Sequence, residues 1–166
     1  MSKFSLSNRN SYPLWFATLS IVVALLLWCL DSPPEAYLSA VAAVAGFVHF
    51  LYAEHNHTTD RFTALFAEFN RRYDCMNGSL NKLCEDLSSD KNLLSVEDKA
   101  LLYDYFNLCA EEYLYYQAGY IDEDVWKAWL SGMKFFADNA VIVELWKAEL
   151  NTNSYYGFKL EILEPK

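Results

Sequence analysis

Residues 14–30, LWFATLSIVVALLLWCL, and residues 36–53, AYLSAVAAVAGFVHFLYA, are two uncharged runs of seventeen and eighteen residues joined by the acidic, proline-bearing turn DSPPE. A helix of ~20 apolar residues crosses a bilayer core roughly 30 Å thick, so each run is close to one span. Lipid offers no partner for backbone polar groups, which restricts a spanning segment to a helix or a closed barrel. The stretch therefore predicts a transmembrane helical hairpin over residues 13–53. It assigns 1–12 to a short tail and 54–166 to a helical domain beside the membrane.

Positive charge in the short flanks sets orientation. Lys3 and Arg9 precede the first run, the turn has neither Lys nor Arg, and Arg61, Arg71 and Arg72 follow the second. Both ends are thus expected in the cytoplasm. Tyr12, Trp15 and Phe16 fall at the inner edge, Trp28 and Tyr37 at the outer, and Phe50 and Tyr52 at the inner edge again, as interfacial aromatic belts would place them. A cleaved signal peptide would share the basic start, but small residues at cleavage spacing are missing around Trp28 to Asp31. Bulky Trp28 before Cys29 likewise argues against a lipoprotein box.

The excess of negative charge lies beyond the hairpin. Residues 54–166 hold eleven Lys or Arg against twenty Asp or Glu, and the whole chain has a formal charge of −9. Such a surface repels double-stranded DNA and anionic headgroups as generic partners, so a nucleotide would need a local basic pocket. The same part is rich in Tyr, Trp and Phe, which marks a packed domain rather than a disordered tail. Cys29, Cys75, Cys84 and Cys109 match no zinc or redox spacing and read as structural thiols in a reducing compartment. On this topology the acceptor sequences Asn56-His57-Thr58 and Asn77-Gly78-Ser79 stay unmodified, because glycosylation needs an extracytoplasmic loop.

Within the second run Ser39, Ala43, Ala42 and Gly46 form a small-residue face that suits close approach to the first helix or to another protomer. His49 is the one titratable side chain in that run and reads as a neutral, hydrogen-bonded group near the interface. His55 and His57 stand two apart, a spacing that does not share a helix face, so no metal is expected there. Thr58 or Thr59 is the predicted cap of the next helix. Its stripe is Phe62, Leu65, Phe66, Phe69, Tyr73 and Met76.

Asn77-Gly78 is expected to break that helix, with Leu80, Leu83 and Leu87 on a shorter one and Ser88 to Asn92 in a polar loop. Ser95 and Asp98 have capping-box spacing. They open a helix with Leu101, Leu102, Tyr105, Phe106, Cys109, Tyr113 and Tyr116 toward the core, closed by Gly119. Asp122 starts another helix through Phe136, and Asn139 a last one to about Leu150. Weak alternation from Tyr155 to Leu163 suggests a short strand. The fold class is all-α apart from that strand.

No pair of groups on this sequence reads as a catalytic machine. Glu111 and Glu112 are adjacent and face different sides of a helix, and no phosphate loop, Cys-His arrangement or serine elbow occurs. The expectation is therefore no enzyme, no cofactor and no metal. A binding module fits better. Arg71, Arg72, Lys127 and Lys134 are available cations, and Tyr115, Tyr116, Trp126, Tyr155 and Tyr156 are available stacking faces, each of which could equally be core. The site taken forward is Arg71, Arg72, Tyr115, Tyr116, Trp126 and Lys127. The same enrichment in Tyr and Trp suits a protein interface, so a docking module remains the alternative.

The segment Asn107-Leu108-Cys109-Ala110-Glu111-Glu112-Tyr113, with Gly119-Tyr120-Ile121-Asp122, Trp126, Trp129, Gly132 and Ser154-Tyr155-Tyr156-Gly157, resembles a box in small bacterial two-transmembrane-helix proteins with a cytoplasmic helical domain. That resemblance implies a fold class and no activity; the location expected from the hairpin and its flanks is the bacterial inner membrane. By architecture the chain is also similar to CRISPR-associated membrane effectors of antiviral defence. This similarity implies a cyclic oligoadenylate ligand, a homo-oligomer and an effect on the membrane.

Overall fold

The computed structural model describes residues 11–89 and 93–163. The tail expected over residues 1–12 and the polar loop expected at Ser88 to Asn92 fall largely outside them. Five helices follow in order: α1 Tyr12–Cys29, α2 Pro34–Ser88, α3 Val96–Gln117, α4 Glu123–Ala137 and α5 Ala140–Leu150, then a short 3-10 helix, Leu160–Leu163. Two compact units divide between Arg61 and Phe62, with α2 contributing residues to both.

In the first unit α1 and the first part of α2 are each long and apolar enough to cross a membrane. The link between them is built locally. Asp31 takes the left-handed conformation with φ 48°. Ser32 N donates to Leu27 O at 3.1 Å and Asp31 N to Trp28 O at 3.2 Å, the paired bonds of a Schellman ending. Pro34 then opens α2, where its missing N–H and fixed φ carry no penalty. Tyr12 meets Tyr52 edge-on at 5.7 Å, which brings the two ends of the hairpin together.

Leu14, Ile21, Leu25, Leu38, Phe47 and Phe50 point outward, as lipid-facing side chains would. A core helix of a water-soluble fold would bury such residues, whereas none of α1 is buried. Ser39, Ala42, Ala43 and Gly46 are exposed as well, and a Cβ at Gly46 would meet nothing within 4 Å. The small face is therefore not the seam with α1. Val48, on the same helix, is buried.

Two predicted helix boundaries are corrected. No cap forms at Thr58 or Thr59, because both lie inside α2 and their hydroxyls donate back to Glu54 O and His55 O, each at 2.9 Å. Asn77-Gly78 does not end the helix either. The apolar series Phe69, Tyr73, Met76, Leu80, Leu83, Leu87 continues in steps of three and four through the dipeptide, and Gly78 is exposed off that stripe. A helix-interior Gly costs about 1 kcal/mol relative to Ala. Burial of three leucines at roughly 1.5–3 kcal/mol each outweighs it.

The local start and stop signals are realised in the second unit. Ser95 Oγ accepts from Asp98 N at 3.0 Å while Ser95 N donates to Asp98 Oδ2 at 2.9 Å, a complete capping box. Gly119, at φ 82°, ends α3 with Tyr120 N on Tyr115 O and its own N on Tyr116 O, both at 3.0 Å. Asp122 Oδ1 caps α4 through Asp124 N at 2.9 Å, and Asn139 Oδ1 caps α5 through Val141 N at 3.0 Å.

Helix α3 is the centre of this unit. Its rings meet α2 through Tyr73 and Tyr105, α4 through Tyr105 and Phe136, and α5 through Phe106 and Trp146. Contact on several sides buries Leu108, Ala110 and Glu112 along with the expected Leu102, Tyr105, Phe106 and Cys109. The strand expected from Tyr155 to Leu163 is absent among the described residues. Asn153, Tyr156 and Gly157 all have positive φ, which turns the chain so that Tyr155 and Phe158 insert into the core and the 3-10 helix follows. Phe158 completes a three-ring stack, with Phe106–Trp146 centroids 4.5 Å apart and Trp146–Phe158 5.5 Å apart.

Candidate functional site

The six expected ligand residues do not form one site. Arg71 is exposed on α2 and forks onto Glu68 of its own helix, with Nε–Oε2 3.0 Å and Nη2–Oε1 2.8 Å. Arg72 is half-buried and pairs with Glu111 of α3. Tyr115 lies between Phe69, at 5.7 Å, and Tyr120, at 6.3 Å, the latter being the apolar contact that accompanies the Gly119 ending. Arg72 and Tyr115 thus serve the packing of α2 on α3, while Arg71 stays on the outer surface of α2.

Tyr116, Trp126 and Lys127 do converge. They line an open groove of ≈ 870 Å³ between the end of α3, the outer side of α4 and the 3-10 helix. Tyr116 stacks on Trp126 at 4.8 Å with 12° between planes. Lys127 is held by Asp124 at 3.3 Å and Glu123 at 3.7 Å. Lys134 and Lys159 line the same groove with no ion pair among the described residues, beside Leu130, Ile162 and Leu163. Lys159 was not anticipated. Its place depends on the turn at 153–157, of which the sequence marks the start, through Asn151 to Ser154, and Gly157, but not the positive φ at Tyr156.

The remaining aromatic candidates separate. Tyr155 is buried, donates from its hydroxyl to Glu149 Oε2 at 3.2 Å, and is pushed up to about 12, chiefly by burial. Tyr156 is exposed at a positive φ of 50°. Burial also pushes the Cys109 and Cys84 thiols upward, the opposite of what a reactive thiolate requires. Among the described residues no group of three His, Cys, Asp or Glu side chains is arranged to hold a metal ion.

A second feature was missed outright. Glu112 is only 6% exposed and lines a cavity of ≈ 250 Å³ with Asn70, Tyr73, Tyr105, Leu108, Trp129, Gly132 and Met133. No hydrogen bond from a described residue reaches its carboxyl. Burial raises its pKa to about 8, against a lowering by Arg72 and with a further raising by Glu111. The adjacency of Glu111 and Glu112 marked them correctly as facing different sides. What adjacency does not reveal is that α3 has packed neighbours on the Glu112 side.

No protein-family model, no curated protein and no solved structure matches this chain.

Proposed function

We propose that the chain is a membrane-anchored, non-enzymatic module whose helical domain docks a protein partner in the cytoplasm through the groove of α3, α4 and the 3-10 helix. The observation that carries this reading is the groove's make-up: an apolar lining of Trp126, Leu130 and Ile162 with two lysines, Lys134 and Lys159, that form no ion pair among the described residues, although Glu123 and Glu161 share the lining. An acidic segment with apolar anchors is the complementary occupant. The flanking arginines and a turn with neither Lys nor Arg support a cytoplasmic domain. The exposed small-residue face of α2 would suit self-association in the membrane plane.

A photo-crosslinking residue placed at Ser131 of the full chain, expressed in bacterial membranes, tests the docking reading. One discrete adduct that survives in wild type and is lost on Lys134→Glu with Lys159→Glu supports it. An adduct pattern unchanged by those substitutions refutes it.

The second reading is the antiviral effector that binds cyclic oligoadenylate and alters the membrane. It is favoured by the Tyr116–Trp126 stack lining the same groove as Lys134 and Lys159, which form no ion pair among the described residues, since bases stack on aromatic faces and phosphates take cations. Thermal unfolding of the full chain in detergent, with cyclic oligoadenylates of several ring sizes, separates the two. A ligand that binds only the folded state raises the midpoint by mass action, and the absence of any rise sinks this reading.

A further inference from the structure

We propose that the cavity beside Glu112 is a binding site for a small organic cation, an alkylammonium head held by that carboxylate and walled by the rings of Tyr73, Tyr105 and Trp129. The proposal is independent of the groove described above, which shares no lining residue with it.

Three helices contribute one ring each: Tyr73 from α2, Tyr105 from α3 and Trp129 from α4. Tyr73 and Tyr105 stand 6.5 Å apart with 48° between their planes, so they form adjacent walls rather than a closed stack. Aromatic faces attract ammonium groups, and a carboxylate at the same point supplies the counter-charge. A buried carboxylate without a partner is costly, and it is resolved either by a proton or by a cation. Arg72 is the cation nearest in charge terms, and it is committed to Glu111.

The other ionisable groups facing Glu112 are Tyr73, Tyr105, Cys109 and Glu111, none of which is cationic. A volume of ≈ 250 Å³ admits a head group of a few heavy atoms and is too small for a nucleotide. Asn70, Ala128 and Gly132 keep some exposure along the rim, which leaves an entrance. Because Glu112 holds a proton up to about pH 8, binding of a permanently charged cation releases that proton to solvent.

The test uses the full chain in phosphatidylglycerol nanodiscs, which contain no amine head group, titrated calorimetrically with choline, tetramethylammonium and methylammonium chlorides. The neutral choline analogue 3,3-dimethylbutan-1-ol serves as control. Expected are binding of at least one cation, affinity rising as pH goes from 6.5 to 8.5, and no binding of the neutral analogue. Glu112→Gln, which keeps shape and removes charge, should weaken binding at least about tenfold with helicity unchanged.

Gly132→Leu provides a second variant. Gly132 lines the cavity and a Cβ there meets nothing within 4 Å, so the added side chain starts in open space, and binding should be lost with helicity unchanged. The proposal is overturned if no cation binds wild type, if the neutral analogue binds as well as choline, or if Glu112→Gln binds as tightly as wild type. Repeating the titration in discs containing phosphatidylethanolamine identifies the source. A weakened apparent affinity there assigns the site to a lipid amine head group, and an unchanged one to a soluble amine.

Discussion

The Arg72 guanidinium of α2 reaches Glu111 of α3, with Nη1–Oε2 at 2.5 Å and Nη2–Oε1 at 3.3 Å, while the next residue along α3, Glu112, is buried with no hydrogen-bond partner among the described residues. Two adjacent carboxyls thus meet opposite fates. The pair is about two-thirds buried, with side chains 31% and 30% exposed. A double-mutant cycle of Arg72→Ala and Glu111→Ala should return a coupling of about 1 kcal/mol in denaturant unfolding, decreasing with added salt.

Glu112 makes stability depend on pH with a definite sign. Its pKa rises from 4.5 to about 8 on folding, so between these values the folded chain keeps a proton that the unfolded chain has released. From this group, stability is fully present below pH 4.5 and is lost as pH rises through about 8. Glu112→Gln removes the dependence. The variant should gain on wild type by on the order of a few kcal/mol between pH 5 and pH 9, read from paired denaturant titrations at each pH. A constant difference across that range would contradict the assignment.

Trp146 is the middle ring of the Phe106–Trp146–Phe158 stack and is fully buried, with an indole Nε1 that finds no hydrogen bond among the described residues. Trp146→Ala should cost roughly 3–5 kcal/mol by leaving a cavity. Trp146→Phe should cost distinctly less. It loses area but also removes an unsatisfied donor whose burial costs about 1–3 kcal/mol.

Two glycines should respond oppositely to alanine. Gly119 ends α3 at φ 82°, where a Cβ is strained, so Gly119→Ala should destabilise by about 1 kcal/mol. Gly78 lies in the interior of α2 and a Cβ there meets nothing within 4 Å, so Gly78→Ala should stabilise by roughly 0.5–1 kcal/mol. Thermal midpoints of the two variants in the same detergent decide both signs.

Signals that act within one turn of chain were legible beforehand. The Ser95–Asp98 box, the caps at Asp122 and Asn139 and the left-handed ending at Gly119 are each satisfied by atoms two to five residues away. The proline-bearing turn and the two apolar runs are local in the same sense. Asn77-Gly78 misled because a weak local breaker met a stripe of buried residues that continues on both sides of it. The strand expected after Tyr155 failed for a related reason. Alternation of Phe158, Leu160 and Ile162 carries no information about the positive φ values at Asn153, Tyr156 and Gly157 that set the chain's direction.

Sequence alone determined that this is a helical protein with two apolar, membrane-length segments ahead of an acidic, aromatic-rich domain, because hydropathy, charge and capping are properties of neighbouring residues. Which side chains share a site was decided only by tertiary packing. Tyr116, Trp126 and Lys127 line one groove with Lys159 from beyond a distant turn, Arg72 and Tyr115 are taken up by the seam of α2 and α3 while Arg71 pairs within α2, and Glu112 faces a cavity because three helices supply its walls. A residue's type limits the partners it can take. Its actual partner depends on which helix arrives beside it, and that is set by burial over the whole core.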